Sequence, residues 1–252
     1  MRFLFLVFTL IFTIVSCRKS ADIKSRLQPA IDNATAFQWL AAHAFLPTAE
    51  VLRDWSNSRA GVPALLYTDS GIWFDYKTGM VCSDGLIRKG KCLMKNGFSV
   101  NGFADTCWFY AAPKDEFAVM GSNRPVYFSG KLKLINYAIY DVSIEGNAEV
   151  ASYAGRFAIS IDGSMQLDPE GQSVRSAKFK TIWNADVKIA GEQLYQYYKV
   201  TRERGCFPCF STGMGYSQSK SVMLDFNPFA NAACDPVVKF SFGREEWLAD
   251  LW

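Results

Sequence analysis

From Pro63 to the C-terminus, short runs of branched and aromatic residues alternate with Gly, Asp, Asn and Ser. Phe157, Ile159 and Ile161 take every second position; so do Ala177, Phe179, Thr181 and Trp183, with Lys178 and Lys180 between them. A period of two sends one set of side chains to a core and the other to solvent, the mark of half-buried strands. Strands are expected at 64–68, 72–77, 86–95, 107–111, 116–120, 131–145, 149–153 and 194–201. Gly146-Asn147 suits the positive φ angles of a tight hairpin turn, and Asp162-Gly163 is expected to end the strand before it. Nothing between the strands keeps helical period for twelve residues, which argues against βαβ topology. Upstream, Asp32 or Asn33 can cap a helix bearing Phe37, Leu40, Ala41, Ala44 and Phe45, and Thr48 a second one bearing Val51, Leu52 and Trp55. The expected fold is mainly β: an antiparallel meander forming a curved sheet, barrel or sandwich, with two short N-terminal helices.

The N-terminus reads differently. After Arg2, an uncharged and largely apolar run extends from Phe3 to Val15. As a helix it would be about 20 Å long, short of the roughly 30 Å bilayer core, so it suits a signal peptide better than an anchor. The run ends Ile14-Val15-Ser16-Cys17, which resembles the lipobox of bacterial lipoproteins. That resemblance implies a cut after Ser16, acylation of Cys17, and a membrane partner reached through the N-terminal lipid. Ser16 also suits an ordinary secretory cut, and Arg18 and Lys19 follow at once. The expected organisation is a signal peptide at 1–16, a tether at 17–30, and one β-rich domain at 31–252 with its helices in 31–61.

Composition narrows the chemistry. With 27 basic and 24 acidic side chains the net charge is +3, too small to imply a nucleic-acid partner. One histidine, His43, leaves no basis for a His-rich metal site, and neither a metal nor a cofactor is expected. Six cysteines follow Cys17: Cys82, Cys92, Cys107, Cys206, Cys209 and Cys234. In an exported chain an even number is expected to pair. Three lie on each side of the central strands, so full pairing would need at least one bridge between the clusters. Cys206-Phe207-Pro208-Cys209 has redox-pair spacing, but Ser211-Thr212-Gly213 follows where a helix would be needed.

Aromatics make 15% of the chain, several in adjacent pairs such as Trp73-Phe74 and Trp108-Phe109. Neighbours on a strand face opposite sides, so one ring of each pair points away from a one-sided core. Rings so placed stack on sugars or line apolar pockets. Trp73, Trp108, Trp183, Tyr195 and Tyr197 are therefore the candidate ligand-binding residues. Gly71-Ile72-Trp73 resembles the Gly-x-Trp signature of lipocalins, which implies a ligand-holding barrel closed by the tryptophan. Tyr140-Asp141-Val142 does not reproduce that family's second motif. The expectation is an exported, lipid-anchored, non-enzymatic binding protein for an apolar or glycan ligand. A carboxylate-dependent hydrolase of envelope glycans and a surface-interaction lipoprotein are the alternatives; catalytic residues are not assignable.

Overall fold

The computed structural model describes residues 22–23, 25–40, 63–81, 87–95, 106–120, 125–138, 141–152, 155–168, 180–189, 193–203 and 209–251. Among these described residues, sixteen strands form one antiparallel sheet. In chain order they are β1 (Ala64–Thr68), β2 (Gly71–Asp75), β3 (Met80–Val81), β4 (Ile87–Lys89), β5 (Lys91–Lys95), β6 (Thr106–Ala111), β7 (Ala118–Met120) and β8 (Pro125–Ala138). There follow β9 (Asp141–Ser152), β10 (Gly155–Asp168), β11 (Lys180–Ile189), β12 (Gln193–Arg202), β13 (Thr212–Ser217), β14 (Val222–Asp225), β15 (Val237–Phe242) and β16 (Glu245–Asp250). The main path runs β1-β2-β5-β6-β8 and then in chain order to β16, while β3, β4 and β7 join along the first part of β8. No pairing joins β1 to β16, so the sheet is not closed.

The meander from β8 to β12 follows the period-two pattern, but its turns lie elsewhere than expected. Gly146-Asn147 sits inside β9, opposite Leu132 and Lys131. A Cβ on Gly146 would meet the Lys131 carbonyl oxygen at 2.2 Å, so the glycine permits close approach of two backbones. Asp162-Gly163 likewise lies within β10, where a Cβ on Gly163 would meet Asn184 O at 2.5 Å. Both glycines carry the signal of a turn and perform the task of a tight strand contact.

One helix, α1 (residues 22–40), is seen among the described residues; the second expected helix and His43 lie outside them. It begins well before the expected caps, inside the segment expected to be a tether. Its first half is amphipathic, burying Leu27 and Ala30, whereas every residue from Asn33 to Leu40 is buried. This second half packs on the inner face of β10, β11 and β12. Phe37 stacks on Tyr197 at 4.0 Å between ring centroids, meets Trp183 edge-on at 6.0 Å, and lies 5.4 Å from Phe210. Trp39 reaches Phe157 at 5.9 Å.

The buried Asn33 side chain is satisfied at both ends of its amide. Asn33 donates to the Val187 carbonyl oxygen (3.2 Å) and accepts from the Tyr197 hydroxyl (2.5 Å). Asn33-Ala34-Thr35 has the form of a glycosylation sequon, but Asn33 is 0% exposed and offers no site for a glycan on the folded domain. The Tyr197 ring also crosses Gly215, where a Cβ would approach it at 3.1 Å. Gly215→Val should therefore displace the Tyr197–Phe37 stack and cost about 1 to 3 kcal/mol. Denaturant unfolding checks this; an unchanged midpoint would show that the ring yields without loss.

Pairing of all six cysteines after Cys17 is not what the structure holds. Cys92, Cys107 and Cys209 carry unoxidised thiols, and no two described cysteines are bonded to one another. The β5–β6 register (Leu93 opposite Tyr110, Met94 opposite Phe109) sets Cys92 across from Ala111, four residues from Cys107. At about 3.4 Å per residue they stand some 13 Å apart, beyond the Cα separation that a disulfide spans. Cys82 and Cys206 lie outside the described residues, and Cys234 is exposed before β15. The parity argument for a bridge between the clusters lapses with its premise.

Candidate binding face

Register divides the five candidate rings between the two faces of the sheet. Trp183, Tyr195 and Tyr197 are 1%, 2% and 3% exposed. Trp183 and Tyr197 pack directly against α1. They belong to the core, and burial leaves them no ring face for a ligand. Trp73 and Trp108 lie on the outer face, with Ile72, Phe74, Cys107 and Phe109 turned inward. The Gly-x-Trp tryptophan thus points away from the interior.

Lysines cover the outer rings. Lys131 Nζ sits 3.7 Å above the Trp108 ring and 5.5 Å from that of Tyr110; Lys95 lies 5.2 Å from Tyr110. Such ammonium–ring contacts are attractive, and at 3.7 Å Lys131 closes one face of Trp108 to stacking. Farther along the sheet, Tyr198 has Lys199 Nζ 5.3 Å from its ring and remains the most open ring of this face beyond Trp108.

One cross-strand row on the outer face runs Lys95, Trp108, Lys133, Glu145, Asp162, Asp186, Gln196 and Tyr216. Lys133 neutralises Glu145 at 3.3 Å. Asp162 and Asp186 are direct partners and make no ion pair among the described residues. Beside them the sheet is interrupted. Between Ala185 and Trp183, β12 carries one residue more than β11, and it again carries one more than β13 between Tyr198 and Thr201. The extra residue is a bulge at Tyr198–Lys199, with Lys199 in the left-handed region (φ 48°). The Asn184 side chain accepts from the Lys199 amide at 2.9 Å and holds the bulge. Tyr198 is turned outward and left 56% exposed.

The result is a shallow groove of about 670 Å³ over β10–β13. Its lining includes Asp162, Ser164, Asn184, Asp186, Gln196, Tyr198, Tyr216 and Lys220. Sequence reasoning missed Tyr198 and Tyr216. The Tyr-Tyr dipeptide at 197–198 marks one ring of two as outward, but the bulge that exposes Tyr198 depends on a lysine at positive φ, which has no sequence signature.

The thiols show no sign of activation. Burial pushes Cys107 up to about 12, and burial, then Asp235 and Asp250, does the same for Cys209. A redox cysteine needs the opposite shift. Burial, with Asp32 adding, also raises Tyr195 to about 12. Unfolded, these groups lose protons near 9 for the thiols and 10 for the phenol. Above pH 9 the unfolded chain therefore holds fewer protons than the folded one, and stability falls as pH rises toward 12. Melting temperatures should hold to about pH 8 and then decline; a flat profile to pH 11 would contradict this.

Among the described residues no group of three His, Cys, Asp or Glu could hold a metal ion. None of their helices is long and apolar enough to cross a membrane. Compared with protein-family models, curated proteins and solved structures, the chain matches none.

Proposed function

We propose that this chain is an exported, lipid-anchored binding protein that takes a hydroxyl-rich glycan in the groove over β10–β13. We read the sheet as curved around α1, which fills the inner side and leaves recognition to the outer one. The observation that carries the reading is the exposed Tyr198 ring beside two carboxylates without ion partners, two amides and a serine hydroxyl. Rings offer a flat apolar face to a sugar, and planar polar groups bind its hydroxyls. The filled interior disfavours the apolar carrier. Asp162 and Asp186, against Lys220 alone in the lining, leave the groove net negative, which disfavours an acidic sugar, so the glycan is neutral or bears an amine.

Binding fits better than hydrolysis. Two glycosidase carboxyls flank the bond they cleave. Asp162 and Asp186 are cross-strand neighbours, with Cβ atoms about 5 Å apart, and both rise from the floor of the groove on one side of any sugar laid upon it. Screening the purified protein against immobilised glycans should give binding to neutral or amine-bearing chains with no release of reducing ends. Cleavage that Asp186→Asn abolishes would establish the hydrolase instead.

A further inference from the structure

The two rims of the sheet differ in charge. Register places the ends of β2 and β6 and the starts of β5, β8, β10 and β12 along one rim. Lys77, Lys89, Lys91, Lys114, Arg156 and Lys188 stand on or beside it. Asp75 and Glu149 there are engaged by Lys91 (3.3 Å) and Arg156 (3.1 Å), and the Asp115 carboxylate accepts from the Ala112 amide. Glu116, Glu245 and Glu246 also stand on or near this rim, as do Lys220 and Arg244. Glu246 is held by Lys239 at 3.5 Å; Lys77, Lys114 and Lys188 have no ion partner among the described residues. The opposite rim carries Asp69, Asp168, Glu203, Asp225, Asp235 and Asp250, with Lys95, Lys180, Arg202 and Lys239 among its described cations.

The start of α1 lies at the basic rim. Arg26 shares a groove with Leu194, Ser217, Ser221 and Phe242, at the ends of β12, β13 and β15 there. Farther along, Asn33 reaches Val187 and Phe37 reaches Trp183, so the helix runs from the basic rim toward the acidic one. Four residues separate Cys17 from residue 22. Fully extended, that stretch spans about 17 Å. A lipid on Cys17 would hold this rim, and not the acidic one, against the bilayer surface.

We infer that the basic rim is a docking surface for anionic lipid head groups, orienting the domain on its membrane. The inference rests on the proposed anchor for the direction in which the rim points. Each unpaired lysine near an anionic surface gains attraction, while the acidic rim is repelled, and the two act in the same rotational sense. The groove over β10–β13 then lies on the flank of the domain, open to ligands.

The test is amine-reactive footprinting of the full protein from its source, reconstituted in vesicles of phosphatidylcholine alone or with phosphatidylglycerol, and read by peptide mass mapping. Lys77, Lys114 and Lys188 should react about fivefold more slowly with phosphatidylglycerol present, reversibly at high salt, while Lys239 and Lys95 are unchanged. The triple variant Lys77→Glu/Lys114→Glu/Lys188→Glu should lose the salt-reversible difference at the neighbouring Lys91. Equal reactivity in both vesicles overturns the docking while leaving the anchor standing. Protein bound to phosphatidylglycerol vesicles but free of phosphatidylcholine ones overturns the anchor and keeps the docking; protein free of both overturns both. Protection by a soluble anionic polysaccharide, without a difference between the vesicles, overturns the membrane in favour of a polymer.

Discussion

Phe37→Ala should lower stability by about 3 to 5 kcal/mol, the cost of emptying an aromatic site in a packed core. For a domain of this size that is a fall of roughly 6 to 20 °C in melting temperature. Phe37 is 0% exposed and touches three rings, Tyr197, Trp183 and Phe210. Those rings come from two strands and the segment before β13, so nothing near them can move to fill the space without breaking register. Tyr197 is fixed further by its bond to Asn33. Thermal melts followed by circular dichroism check the result. A midpoint within about 2 °C of the parent would mean that α1 is not part of the core.

Cys17→Ser should abolish lipidation outright. If the Ile14-Val15-Ser16-Cys17 segment is cut as its resemblance to a lipobox implies, the variant accumulates as an unprocessed precursor. It should take up no labelled fatty acid and release no mature protein. Two acyl chains anchor stably where one binds only marginally, since each buried CH₂ contributes about 0.8 kcal/mol. A variant cleaved and secreted like the parent, with the parent itself soluble, would instead establish a plain secretory signal.

How much of this was legible in the sequence differs from element to element. The alternation at Phe157, Ile159 and Ile161 reports an inner face because β10 is solvated on one side only. Gly146 and Gly163 mislead because glycine serves both a turn and a close backbone approach, and local sequence does not separate the two. Helix α1 begins ahead of its apparent cap, with Leu27 and Ala30 already buried in the same core cluster as the strands, a burial that a local window of sequence does not reveal. The cysteine expectation failed for a related reason: parity says nothing about register, and register keeps Cys92 and Cys107 apart on neighbouring strands.

The candidate site was only half legible. Adjacent aromatics announce that one ring faces outward, which identified Trp73 and Trp108. They do not say which rings a lysine then covers, and Lys131 lies over Trp108. At 195–198 the odd positions face α1 and Tyr198 faces out, an assignment that depends on the phase of β12 in the sheet.

The central claim is that the outer groove, and not the interior, holds the ligand. The most direct measurement is calorimetric titration of wild-type and Tyr198→Ala protein with the glycan that binds best in an array screen. Tyr198 is exposed and touches no core residue's ring, so its removal should weaken binding about tenfold, equivalent to about 1.4 kcal/mol, and leave the melting temperature within about 1 °C. Equal affinity in the two proteins would contradict the account and place the ligand elsewhere.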